Sequence, residues 1–210
     1  TLARAQRATK NGDFKREITP VTMTTRKGDV VVDTDELPRR AMPDKIPSLR
    51  PAFGKDGTVT AANASGISDG AAALVLMRKS EAERRGLKPL ARIVATAAHA
   101  HEPAYFTTAP VPAMRKAVER AGWTIEDVDL WEINEAFAVV PMIAMKELGL
   151  SHDKVNVNGG ACALGHPIGA SGARVIVTLI AALEKHGKTK GVASLCIGGG
   201  EATAVAIERL

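Results

Sequence analysis

Hydrophobic and polar positions divide this chain into two textures. Up to about residue 55 apolar residues are scattered, and five prolines fall between Pro20 and Pro51. Proline removes a backbone donor and blocks helix interiors, so this stretch is expected to be a poorly compact excursion. It contains a helix over Leu2–Lys10 that stops at Asn11-Gly12, and short extended pieces such as Asp29–Asp33. From Thr58 onward the pattern becomes regular. The apolar run Ala71–Met77 predicts a buried strand, followed by a charged helix over Ser80–Arg85 stopped at Gly86.

Leu90–Ala98 is a second strand candidate. Pro112 opens a helix that runs to Ala121 and closes at Gly122. Val128–Ile133 predicts a strand ending at Asn134, then Ala136–Leu148 a helix with Gly149 as its stop. Val155–Asn158 predicts a short strand. Ala170–His186 predicts a long helix with Val175, Leu179, Ile180 and Leu183 on one face. Two strands, Val192–Ile197 and Ala202–Ile207, close the sequence around three glycines. Strand–helix alternation ending in a strand pair predicts an α/β fold, a mixed sheet with helices on its faces.

Composition narrows the function classes. Aromatics make up 3% of the 210 residues, so the core must be aliphatic. The net charge is +5, but lysines and arginines are spread through amphipathic segments and no aromatic series offers a stacking surface. The reading is therefore no nucleic acid, with an anionic small molecule still compatible. No apolar run has transmembrane length, and Thr1–Arg4 does not resemble a signal peptide, so no membrane association is expected. Two cysteines without CxxC spacing suggest reduced thiols and a cytoplasmic setting. The absence of an initiator Met suggests that the sequence begins inside a larger protein.

The chemistry-bearing residues sit in glycine-rich loops. Cys196 opens Cys196–Gly200, and His166 lies within Asn158–Gly169. Glycine lets backbone approach a ligand closely, so a thiol and an imidazole on two such loops suit an acid–base site. Each also has a plain structural reading, Cys196 as a core thiol and His166 as a satisfied structural histidine. Cys162, His166 and Cys196 lack the fourth ligand and the spacing of a zinc site, so no metal is expected and Cys162 reads as a small buried residue. Asn134 either caps a helix or holds a water or carbonyl near the pair. The loop Ala62–Gly66 is ambiguous between turn and ligand contact.

Three segments in this order resemble the thiolase family: NEAFA at 134–138, GGACALGHPIGASGAR at 159–174 and CIGGGEATAVAIE at 196–208. The resemblance extends to LRPAF at 49–53 and NASGISDGAA at 63–72. It is nearest to the members that condense acetyl-CoA, with the degradative 3-ketoacyl-CoA members next. The resemblance implies a mixed five-stranded sheet with helices on both faces, plus part of an inserted loop domain. Residues 1–67 would end the coenzyme A-binding loop domain, 68–88 would complete an N-terminal half, and 89–210 would form the C-terminal domain.

The implied reaction is Claisen condensation of two acetyl-CoA to acetoacetyl-CoA, and the reverse thiolysis. His166 would activate the nucleophile and donate to the thioester oxygen. Cys196 would exchange a proton with the acetyl methyl. Asn134 would hold a water completing one oxyanion hole, and the Gly198 N–H would contribute to a second. Ser65 would contact pantetheine, and Arg39 or Arg40 a coenzyme A phosphate. Coenzyme A thioesters are then substrates, with no separate cofactor, and homo-oligomers are expected. The family's nucleophilic cysteine has no counterpart here, since Cys162 stands inside the histidine motif, so this chain alone is expected to be inactive. Two other classes compete: a non-catalytic coenzyme A-binding or assembly module of this fold, and a zinc module.

Overall fold

The computed structural model describes all residues 1–210. Its helices are α1 (Leu2–Asn11), α2 (Glu36–Arg40), α3 (Lys79–Arg84), α4 (Pro110–Arg120), α5 (Val139–Leu148), α6 (Ala161–Leu164) and α7 (Ser171–Lys185). The strands are β1 (Val21–Thr25), β2 (Gly28–Val32), β3 (Ala91–Ala100), β4 (Leu130–Ile133), β5 (Lys190–Cys196) and β6 (Glu201–Arg209).

The main sheet runs β3-β6-β5-β4, with β4 parallel to β5 and the other pairs antiparallel. Beyond β4, Val155 makes a single parallel bridge to Trp131 and so occupies a fifth position. The Val155–Asn158 segment goes no further as a strand, because Asn156 turns to φ 47° and directs its side chain back at β4. The mixed sheet read from the sequence is present, with four full strands and this one bridge.

Period-2 alternation explains the layering. Trp131, Ile133, Val192, Cys196, Ala202, Ala204 and Ala206 face α4 and α5, forming one core with Met114, Val118, Val140 and Ala144. Leu130, Ala193 and Ile207 face the other way, onto Val175, Leu179, Ala182 and Leu183 of α7. Helices thus cover both sheet faces. The scarcity of aromatics leaves Trp131 as the largest fully buried side chain.

One strand expectation fails. Ala71–Met77 is extended but pairs with nothing, and Val75 and Leu76 are 85% and 71% exposed. The apolar run has β character, yet no strand in these 210 residues lies beside it to take its backbone hydrogen bonds. The excursion before it contains a two-stranded hairpin, β1 with β2, solvent-exposed along both strands.

Candidate active site

The site gathers where β4 and β5 end. Ile133 and Ser194 are paired neighbours in the parallel ladder, and the Asn134 N–H donates to the Ser194 carbonyl at 2.9 Å. Asn134 therefore leaves β4 beside the end of β5, where Cys196 is the last residue. Such ends of parallel strands are where α/β sheets place ligands.

His166 reaches Asn134 from the glycine loop. Its Nε2 lies 3.3 Å from Asn134 Nδ2, and its Nδ1 lies 2.6 Å from Ser171 Oγ. Ser171, fully buried at the start of α7, donates to the Pro167 carbonyl at 3.1 Å. The His166 backbone is pinned as well, its N–H donating to the Gly66 carbonyl at 2.9 Å. Burial, and secondarily the Arg174 charge, hold its pKa below the ordinary histidine value. A neutral imidazole can accept a proton.

Glu135 fixes the loop that carries this histidine. Its carboxylate accepts from Thr1 Oγ1 at 2.8 Å, from the Cys162 N–H at 3.1 Å and from Asn156 Nδ2 at 3.1 Å. Asn156 in turn exchanges two 2.8 Å hydrogen bonds with the Ile133 backbone, imitating a neighbouring strand. Gly160 is required by this arrangement, because a Cβ there would lie 2.5 Å from the Glu135 carboxyl carbon.

The Cys196 thiol is buried among the α4–α5 core residues, and burial pushes its pKa up to about 11. It makes no hydrogen bond to His166 or Asn134; what the fold supplies is adjacency of strand ends. The turn after it is shaped by Gly200, at φ 99°, where a Cβ would lie 2.2 Å from the His101 carbonyl oxygen. His101 N–H also donates to Gly200 O at 3.0 Å, tying the turn to the end of β3. Gly198 is exposed, its N–H has no partner within the chain, and its α-carbon faces open space.

Ser65 meets the site through backbone: its N–H and its hydroxyl both lie 3.0 Å from the Ala136 carbonyl oxygen. Together with the Ala64–Phe137 bridge this staples the 63–67 segment to the strand-to-helix turn after Asn134. Arg39 and Arg40 stand exposed on α2, with Arg40 paired to Glu36 at 3.1 Å and Arg39 free of ion pairs. Cys162 makes no hydrogen bond to the imidazole; its thiol donates to the Glu135 carbonyl at 3.5 Å. Burial and the Glu135 charge push its pKa up to about 12, a setting that disfavours the thiolate.

Sequence reasoning assigned no role to Ser171, Arg174, Glu135 or Asn156. Ser171 and Arg174 lie inside the glycine-rich histidine segment, five and eight residues past His166, and that spacing across a loop-to-helix junction was the available signal. Glu135 lies inside the 134–138 motif beside Asn134, while nothing local marked Asn156.

Comparison with known proteins fits this geometry. Residues 87–209 match the family model for the thiolase C-terminal domain, and residues 2–80 that for the N-terminal domain. The chain is 55% identical to the cytosolic acetyl-CoA acetyltransferase of Mus musculus over 209 residues, covering 98% of this chain and 53% of that protein. Acetyl-CoA acetyltransferase of Rhizobium meliloti is likewise 55% identical over 208 residues, covering 99% and 53%. Among solved structures, the Bacillus anthracis acetyl-CoA acetyltransferase superposes with a TM-score of 0.95 at 48% identity, covering all of this chain and 53% of that one. The Acat5 thiolase from Ascaris suum, in complex with coenzyme A, gives 0.88 at 43% identity with the same coverage. The chain thus spans about half the length of the curated relatives it matches. With both family models matched and the strand-end residues of its motifs gathered at one place, this chain belongs to the thiolase family.

Proposed function

We propose that this chain supplies the acid–base and oxyanion groups of an acetyl-CoA acetyltransferase, which condenses two acetyl-CoA to acetoacetyl-CoA and runs the reverse thiolysis. The observation carrying this reading is the Asn134–His166 contact at 3.3 Å, placed where Cys196 ends the neighbouring strand. The mouse and Rhizobium relatives bearing that name support the substrate class.

In this mechanism an acyl group is carried on a thiol outside residues 1–210, since the Cys162 thiol is engaged with the Glu135 carbonyl and Cys196 is needed elsewhere. His166 Nε2 takes the proton of that thiol as it attacks the first acyl-CoA, and the departing coenzyme A thiolate takes the proton of Cys196 and leaves as coenzyme A. In the second half-reaction Cys196, as thiolate, removes a proton from the methyl of acetyl-CoA. The thioester oxygen then bears the enolate charge and is met by the protonated His166 Nε2 and a water held by Asn134. The carbanion attacks the acyl thioester, releasing acetoacetyl-CoA and the carrier thiolate, which takes its proton back from His166, and the Gly198 N–H stabilises the tetrahedral oxyanion. A thiol with its pKa near 11 is protonated at neutral pH, the state from which a proton is returned to carbon in thiolysis.

Residues 1–67, 68–88 and 89–210 are proposed as the end of a loop domain, the close of the N-terminal half and the C-terminal domain. Ser65 and Arg39 or Arg40 are proposed coenzyme A contacts, Ser65 through the pantetheine and the arginines through phosphate; the exposed, unpaired Arg39 is the better placed. The intact enzyme is proposed to be a cytoplasmic homo-oligomer with no separate cofactor. No helix is long and apolar enough to cross a membrane.

The test uses the polypeptide extended to the length of its relatives, assayed for thiolysis of acetoacetyl-CoA by coenzyme A. Turnover should be measurable, and His166→Ala and Cys196→Ala should each remove nearly all of it. A fully folded extended polypeptide without thiolysis would overturn the reading.

A further inference from the structure

Arg174 lies in the first turn of α7. Its Nη2 is 3.5 Å from Asn134 Oδ1 and its Nη1 is 3.9 Å from Glu132 Oε2. A guanidinium only donates hydrogen bonds, whereas an amide presents a donor on one side and an acceptor on the other. The Asn134 atom turned toward Arg174 must therefore be oxygen, which turns its NH2 toward His166 Nε2. At the far end of the chain of contacts the Pro167 carbonyl only accepts. Ser171 places its single hydroxyl hydrogen there, leaving its oxygen to accept from His166 Nδ1.

A donor-only group at one end and an acceptor-only group at the other give the whole series one polarity. Arg174 donates to Asn134, Asn134 to His166, His166 to Ser171, and Ser171 to Pro167. Reversal would set the Asn134 amide N–H against the guanidinium, two donors facing each other with no acceptor between them. We propose that Arg174 is a positioning residue for His166: by orienting the Asn134 amide it holds the imidazole in the Nδ1–H form, with Nε2 unprotonated and facing Asn134. Its consequence for turnover rests on the proposed acyltransferase reading, while the tautomer itself does not.

The tautomer is read by imidazole ¹⁵N NMR on the chain of residues 1–210, at about pH 8 where histidine is neutral, with its five histidines assigned by through-bond correlation. His166 should carry its proton on Nδ1. Arg174→Gln offers an acceptor as well as a donor, so the Asn134 amide is free to turn and a mixture of tautomers should appear. Arg174→Lys keeps a donor-only group and should keep the Nδ1–H form. A wild-type imidazole protonated on Nε2, or an unchanged tautomer in Arg174→Gln, would overturn the proposal. If Arg174→Gln does not fold, an Nε2–H form in Arg174→Lys overturns it equally. In the extended polypeptide Arg174→Gln should lower kcat roughly 10- to 100-fold with KM little changed, and Arg174→Lys should recover most of it. A tautomer shift in a polypeptide whose wild type never turns over would sink the acyltransferase reading and leave this one standing.

Discussion

Ser171 Oγ sits 2.6 Å from His166 Nδ1, with the serine fully buried. Five residues and the start of α7 separate the two, so the geometry of a loop-to-helix junction decides how the imidazole points. Ser171→Ala would leave the half-buried His166 Nδ1 without its partner. The loss of such a hydrogen bond costs about 0.5–1.5 kcal/mol, visible as a lower urea midpoint for the chain. In the extended polypeptide kcat should fall further than stability alone explains, since the ring loses its anchor; equal kcat with reduced stability would show that Asn134 alone suffices to orient it.

The extent to which this was legible in the sequence follows the same division between local and distant causes. Val128–Ile133, Ala170–His186 and the closing strand pair could be read because apolar periodicity and glycine stops are local signals. His166, Asn134 and Cys196 stood out by their glycine settings and strand-end positions. Ala71–Met77 misled, since β character is a property of the segment but pairing is a property of its neighbours. The β1–β2 hairpin was half-read through Asp29–Asp33, because its first strand, Val21–Thr25, has no buried face to show period-2 contrast. The roles of Glu135, although it stands in the 134–138 motif, and of Asn156 were illegible, their partners being set only when the histidine loop folds back over β4.

Stability should depend on pH in two opposed ways. His166 has its pKa depressed by burial and the Arg174 charge, so below about 6.5, its ordinary value, the unfolded chain binds the extra proton and stability falls with falling pH. Glu132 is fully buried and its pKa is raised to about 8, so its contribution is whole below the ordinary carboxylate range and is lost as pH rises toward 8. Burial shifts Glu17 and Asp35 in the same direction as Glu132, against the partial relief given by Arg174. Glu132→Gln keeps the volume and removes the titration. Its Tm relative to wild type should therefore rise between pH 5 and pH 9, as scanning calorimetry at the two pH values would show; a constant difference would mean that Glu132 does not titrate in this range.

Both thiols should be slow toward alkylation in the folded chain. Burial places the Cys196 pKa near 11 and burial with the Glu135 charge places that of Cys162 near 12. The thiolate is the reactive form, so each should react with iodoacetamide at neutral pH roughly 100-fold more slowly than an unfolded cysteine, or slower. Mass spectrometry before and after urea treatment counts the modified sites: few in the native chain and two in the denatured one. Rapid native labelling of Cys196 would mean that substrate-free chains keep it as a thiolate, contrary to its buried setting.

Gly160 and Glu135 provide the sharpest packing test. A Cβ at residue 160 would approach the Glu135 carboxylate oxygens to 2.7 and 2.8 Å and its carboxyl carbon to 2.5 Å. That carboxylate cannot yield freely, since Thr1, Cys162 and Asn156 hold it from three sides. Gly160→Ala should therefore destabilise the chain by about 1–3 kcal/mol, the range for overpacking a filled interior. Glu135→Gln removes one acceptor and places an NH2 against donors, with a similar cost of about 1–3 kcal/mol. The two losses should be non-additive, because a neutral amide at that position is held less tightly and can give way to the added methyl. A double-mutant cycle by urea denaturation reads the coupling directly. Strict additivity would show that the histidine loop shifts as a body around residue 160, relieving the clash without moving residue 135.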